Sequence, residues 1–251
     1  MISVNRKIVV IGATSSIAEH CARDWVKAGN ADLVLVGRDL QRTERVAADL
    51  RVRSPSSRIQ AIQADFAEAK AIADVVQTIV AQGSPDVVLI AHGSLSDQDA
   101  CQQSLALAGN ALQVNGVSPV LFAEAFASSM GLAGRGTIAI IGSVAGDRGR
   151  KSNYVYGAAK GLVSRYAEGL QHRFAGTGVS IVVIKPGPTD TPMTAALKAR
   201  GARLAPVEDV AHSIVKGINQ GGSTIYVPGK WRWIMLIIRH LPAFVFNKLN
   251  I

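Results

Sequence analysis

Cysteine is nearly absent: Cys21 and Cys101 are the only two in a chain of 251 residues. Two thiols make no disulfide framework, and neither belongs to a Cys/His cluster with metal-ligand spacing, so no metal site is expected and a reducing compartment fits. Long hydrophobic runs are missing too. None approaches the roughly 18 apolar residues of a membrane span. The first strand-like run, 7–11, starts so early that no cleavable signal peptide with its own apolar segment fits before it, and a cytoplasmic location is expected. Acidic residues are in deficit, 18 Asp and Glu against 27 Lys and Arg, which gives a net charge of +9 and a pI of about 9.9. A basic surface suits nucleic acid, anionic lipid or an acidic substrate. No nucleic-acid recognition motif and no basic stripe with interleaved aromatics occurs in the body of the chain, so nucleic acid is not an expected partner.

What is present is a globular composition, 48% hydrophobic and 18% charged, of a length that one α/β domain can use. Short Val- and Ile-rich runs recur at 7–11, 32–36, 58–63, 86–91, 137–141, 179–184 and 223–227, with helical periodicity between them. Unbroken apolar strands separated by helix-length crossovers predict a seven-stranded parallel sheet with helices on both faces. The longest helical stretch is expected from about Gln98 to Met130, with Pro119 at a kink or a helix start. The segment from Gly187 to about Ala205 lacks a pattern and carries Pro188 and Pro192, which suggests a mobile lid.

The first run leads directly into Gly12-Ala13-Thr14-Ser15-Ser16-Ile17-Ala18 and then a helix. A strand, a tight turn and a helix start aim backbone N–H groups and the positive helix end at a pyrophosphate. Against a G-x-x-x-G-x-G loop, Ser16 and Ala18 replace the second and third glycines, and Ser16 is the larger departure. The second run ends at Gly37-Arg38 without the acid that usually holds an adenosine ribose. Arg38 is either a fork for a 2′-phosphate, favouring NADPH over NADH, or a solvated arginine. Asp65, followed by Phe66, is either a partner for the adenine amino group or a helix N-cap.

The most specific pattern is Tyr156-Gly-Ala-Ala-Lys160. At i and i+4 of a helix the lysine ammonium lies near the phenol, where it would lower the tyrosine pKa and ready it for proton transfer to a carbonyl oxygen. Tyr154 has Ala158 at i+4 and lacks such a partner. Ser143, at the end of the fifth strand-like run, could donate to the same oxygen. Asn115 beside Gly116 is a local conflict inside a helix, either functional or a satisfier of backbone groups. After the sixth run comes Pro186-Gly187-Pro188-Thr189-Asp190-Thr191, where Thr191 and the backbone around Thr189 would face a nicotinamide amide, or the stretch is an ordinary loop.

In this order and spacing the motifs resemble those of the short-chain dehydrogenases/reductases, from about Lys7 to Pro228. The resemblance implies a single-domain Rossmann fold and hydride transfer between NADP(H) and a carbonyl/alcohol pair. It implies Tyr156 as acid/base, Lys160 as ribose ligand and tuner, Ser143 as carbonyl orienter and Asn115 as holder of a relay water. Cofactor contacts would come from Gly12, Thr14, Ser15, Ser16, Ile17, Arg38, Asp65, Phe66, Ala91, Gly93, Tyr156, Lys160, Pro186, Gly187, Thr189 and Thr191. Homodimers or homotetramers are usual in this family. The family's Asn-Asn-Ala-Gly is here Ala91-His92-Gly93, and His92 either touches a ligand or is structural.

Residues 1–228 are thus expected to form the catalytic domain and 229–251 a basic aromatic extension. That extension joins Trp231, Trp233, Phe244 and Phe246 to Lys230, Arg232, Arg239 and Lys248. Rings beside cations suit a lipid interface, although a tail packed on its own domain has the same composition. Arg239-His240-Leu241-Pro242, Phe246 and Lys248-Leu249, together with Ala145–Lys151 and Tyr154–Gly157, resemble the decaprenylphosphoryl-2-keto-β-D-erythro-pentose reductases. That likeness implies reduction of a keto-pentose carried on a polyprenyl phosphate for cell-envelope glycans, with peripheral membrane contact. Arg148, Arg150 and Lys151 would then meet the lipid phosphate, or form a solvated loop. A soluble or carrier-protein-bound ketone is the alternative substrate.

Overall fold

The computed structural model describes residues 6–249, so Asn250 and Ile251 of the tail and positions 1–5 of the expected domain lie outside the described residues. Seven parallel strands form one sheet: β1 (Arg6–Ile11), β2 (Ala31–Gly37), β3 (Arg58–Gln63), β4 (Val87–Ile90), β5 (Gly136–Ile141), β6 (Val179–Pro186) and β7 (Thr224–Val227), in the order β3-β2-β1-β4-β5-β6-β7. Each lies within two residues of its expected bounds. The helices are α1 (Ser16–Ala28), α2 (Leu40–Arg53), α3 (Ala69–Ala81), α4 (Gln98–Gln103), α5 (Leu105–Leu112), α6 (Ser118–Ala133), α7 (Tyr154–Arg173), α8 (Ala195–Ala199), α9 (Val207–Asn219), α10 (Lys230–His240) and α11 (Ala243–Phe246).

Alternation along the strands divides the core in two. Ile8 and Val10 of β1 face one core with α1, α2 and α9, while Val9 and Ile11 face the other with α3, α6 and α7. Both faces exclude water, which is why β1 tolerates no polar residue after Lys7. Strand order reverses between β1 and β4, and that switch point opens a crevice at the carboxyl ends of the strands.

The expected single helix over 98–130 is in fact several pieces. Ser104 has extended backbone and its side chain accepts from Leu107 N, which ends α4 and caps α5. A π-helical turn, Gln113–Val117, then joins α5 to α6, and Pro119 sits in the first turn of α6, where its missing N–H costs nothing. Leu105–Ala133 holds an 18-residue window of mean hydropathy 1.2, but the window is no unbroken apolar run and half of it is buried in the fold, as in a core helix. The proposed lid is not patternless either. Thr189 bridges to Ala205, Thr191 and Thr194 cap each other, and Lys198 pairs with Asp190 at 2.6 Å, so both ends of the segment are pinned.

Candidate active site

Strand ends bring the expected residues to one edge of the sheet. β1 ends at Gly12, whose φ of 81° and whose closeness to His92 (an added Cβ would lie 2.6 Å from its Cβ and backbone nitrogen) leave room only for glycine. Gly12 and Ala13 donate to Val36 O, fixing the turn, and α1 begins at Ser16. Ser15 stands at the N-cap position without a side-chain cap bond, so the first amides of this 13-residue helix face outward for an anion. Ser16 starts the helix and Ala18 is fully buried, so the two replaced glycines leave the helix start intact. The cradle therefore fits a dinucleotide pyrophosphate.

At its adenosine side, Arg38 is exposed, and a hollow of about 260 Å³ is lined by Thr14, Arg42 and Arg45 among others. Asp65 does not cap α3, which Glu68 precedes; its Oδ1 accepts from Ala67 N at 2.8 Å, closing a local turn, and it stays exposed. Phe66 is buried against His92 and Phe122, with ring centroids 4.8 and 5.1 Å away.

His92 packs into the fold beside the site. Its Nε2 shares a 2.9 Å hydrogen bond with Ser118 Oγ and its ring meets Phe66 and Phe122. Burial, with the charges of Lys160 and Arg38, pushes its pKa down to about 3. The folded state thus keeps His92 neutral while the unfolded chain takes up a proton below about 6.5, and stability drains as pH falls through that window. Relative to a His92→Gln protein, which keeps a polar atom for Ser118 but does not titrate, the wild type should lose about 1.4 kcal/mol per pH unit between roughly 6 and 4. Parallel denaturant-unfolding curves for the two proteins across that range would refute the assignment.

The catalytic candidates converge from three elements. Ser143 follows β5, and its Oγ accepts from Ala145 N at 3.1 Å. Tyr156 and Lys160 lie in α7, with Lys160 Nζ 5.9 Å from the Tyr156 ring centre. Lys160 is buried and donates to Ile141 O at 2.9 Å. Asn115 occupies the π turn, fully buried; its Oδ1 accepts from Ser94 N at 2.8 Å and its Nδ2 donates to Ala111 O at 2.9 Å. A Cβ on Gly93 would lie 2.9 Å from Asn115 Oδ1 and 3.6 Å from Lys160 Nζ, so these three share one small space. The expectation that Lys160 would lower the Tyr156 pKa is not met in the free chain: burial raises it, with Ser143 pulling the other way. The same burial brings the Lys160 ammonium down to about 8 and weakens its influence as a cation.

Pro186 ends β6, Thr189 is buried with its Oγ1 donating to Gly187 O at 3.0 Å, and Thr191 is half-buried. Ala91 continues β4 with its N donating to Ile11 O, and is buried.

Three features escaped the sequence. Lys185 and Asp147 form a buried ion pair at 2.5 Å, and the Tyr226 hydroxyl donates to the same carboxylate at 2.7 Å; burial and that bond push Tyr226 up to about 12. Lys185 inside an otherwise apolar strand was the available signal. Arg148 is more than a solvated loop residue: it donates to Ile238 O and Leu241 O, both at 2.6 Å, and lies 3.9 Å above the Phe246 ring. Trp231 packs so closely on Gly187 that a Cβ there would lie 1.9 Å from Nε1.

This fold and these groups define an NAD(P)-dependent oxidoreductase. The chain belongs to the short chain dehydrogenase family, whose profile matches residues 6–201. It is 30% identical to an uncharacterized oxidoreductase of Mycobacterium tuberculosis and 29% identical to one of Streptomyces coelicolor, covering 96% and 97% of this chain and 96% of each relative. Among solved structures it is similar to an NAD(P)-dependent protein of Beutenbergia cavernae, described as a gluconate 5-dehydrogenase with NADP bound at low occupancy (28% identity, TM-score 0.81, 92% and 98% of the two chains). It also shares its fold with the actinorhodin polyketide ketoreductase solved with NADPH (20% identity, TM-score 0.81, 90% and 97%).

Proposed function

We propose that the protein is an NADPH-dependent reductase that turns a ketone into a secondary alcohol, and that the ketone is the 2-keto group of a pentose linked to a polyprenyl phosphate, a precursor for cell-envelope arabinan or related glycans. The convergence of Ser143, Tyr156 and Lys160 at the carboxyl edge of the sheet carries the redox half of this reading. The bound nicotinamide would supply the hydride. Tyr156 would give the proton to the carbonyl oxygen, Ser143 would donate to that oxygen, and Lys160 would hold the ribose and act on the phenol. Asn115, whose amide is tied to backbone at both ends, would keep a relay water beside Lys160.

The exposed Arg38 supports NADPH, because a guanidinium fork suits a 2′-phosphate. The other cofactor contacts would be Gly12, Thr14, Ser15, Ser16, Ile17, Asp65, Phe66, Ala91, Gly93, Pro186, Gly187, Thr189 and Thr191. On the substrate side, Arg148 is already engaged by the tail, whereas Arg150 is half-buried with its Nε lacking a partner, and burial lowers its pKa. An unpaired, desolvated guanidinium suits an anionic group such as the lipid phosphate. In this reading residues 1–228 are the catalytic domain and 229–251 an extension. The chain acts as a homodimer or homotetramer in the cytoplasm, at the inner face of the membrane.

The test is oxidation of NADPH, compared with NADH, by purified protein given a polyprenyl-phosphoryl 2-keto-pentose or soluble ketones. Turnover of the lipid-linked sugar with NADPH preferred is the expected result. Reduction of soluble or carrier-bound ketones alone would move the substrate to the alternative that the +9 charge also suits, an acidic carrier.

A further inference from the structure

α10 has two apolar faces and only one of them is covered. Trp231 and Met235 turn inward, the first against Gly187 and the second buried. Trp233, Leu236 and Ile237 turn outward, 65%, 48% and 64% exposed, and Phe244 of α11 adds a 72% exposed ring. Positions 233, 236 and 237 stand at helical spacing, so their side chains form one stripe. Lys230, Arg232 and Lys248 are exposed in the same hairpin, and residues 229–251 hold no Asp or Glu.

We infer that this outer face docks on an anionic lipid bilayer, with Trp233, Ile237 and Phe244 in the headgroup–acyl boundary and the cations at the headgroups. A second copy of the chain fits less well, because a two-fold contact would set like charges together with no acid in the hairpin to offset them. The inference deepens the lipid-linked reading of the site. α10 is joined to both loops that flank the pocket, through Trp231 on the Gly187 loop and Arg148 on the loop after Ser143. A docked hairpin would therefore hold the Gly187 loop and the loop after Ser143 close to the bilayer.

The experiment is co-sedimentation of the full chain with phosphatidylcholine vesicles with and without phosphatidylglycerol, alongside tryptophan fluorescence. Three exposed cations predict binding on the order of 100-fold stronger to the anionic vesicles at low salt, weakening as salt rises. They also predict a blue shift that is lost in Trp233→Phe. Ile237→Asp/Phe244→Asp should abolish binding while leaving NADPH affinity unchanged. No preference for anionic vesicles, or binding that survives the double variant, overturns the inference. So does concentration-dependent self-association that the double variant removes in the absence of vesicle binding, because the face would then belong to a second copy. None of these readouts involves turnover, so failure of the substrate reading would show separately in the NADPH assay.

Discussion

Tyr156→Phe is expected to slow ketone reduction by roughly 10²–10⁴-fold while leaving NADPH affinity within about twofold. The change removes one hydroxyl and keeps the ring that Lys160 faces at 5.9 Å, so the pocket keeps its shape and loses its proton donor. Burial holds the phenol protonated at neutral pH, the form that carbonyl reduction needs. With Lys160 in the role proposed for it, its ammonium should set the alkaline limit. Its pKa is lowered from 10.5 to about 8, so its ammonium is lost as pH rises through that value, and the wild-type rate should decline above about pH 8. Stopped-flow measurement of NADPH oxidation with wild type and Tyr156→Phe would check both. A variant that keeps more than about a tenth of the rate would remove Tyr156 from the acid role.

Asp147→Ala should destabilise the protein by about 3–5 kcal/mol, because it strands Lys185 as an uncompensated buried charge. Both side chains are almost fully enclosed, at 7% and 2% exposure, and the Tyr226 hydroxyl loses its acceptor as well. Asp147→Leu/Lys185→Met removes both charges and should cost less than the single change. Urea unfolding of the three proteins decides the matter. A loss below about 1 kcal/mol for Asp147→Ala would mean the pair behaves like a surface ion pair. Asp147 lies four residues after Ser143, so the single variant should also loosen the serine loop.

The sheet was readable because burial on both faces leaves unbroken Val and Ile runs, as in Ile8–Ile11, and helix-length stretches separate them. Tyr156 and Lys160 were readable because helix spacing is local. Asn115 announced itself as a conflict with α-helix, and the conflict resolves as a π turn. Arg148 was read as a lipid-phosphate ligand or a solvated loop residue, and its contact with α10 was not foreseen. Its partners lie 90 and 93 residues away, and no local period encodes such a contact. Trp231 on Gly187 and Asp147 with Lys185 were hidden for the same reason. The strand-end residues of the cofactor cradle followed from topology, whereas the role of His92 depended on two phenylalanines distant in the chain.

The π turn also bears on how this stretch of gene can vary. A π turn is an α-helix holding one surplus residue. Each residue turns an α-helix by about 100°, and the wider π turn absorbs the surplus locally, so the helices on either side keep a common phase. Upstream, Leu105 and Leu107 point to solvent; downstream, Phe122 and Phe126 fill the core. Loss of a single codon between 113 and 117 would return the helix to α geometry with α5 and α6 still in phase, yet remove the wide turn that holds Asn115 against Ser94. The same loss at the exposed α4–α5 junction would leave that phase untouched. One-residue deletions should therefore leave the sheet-packing face of α6 intact at either place and displace Asn115 only at the π turn.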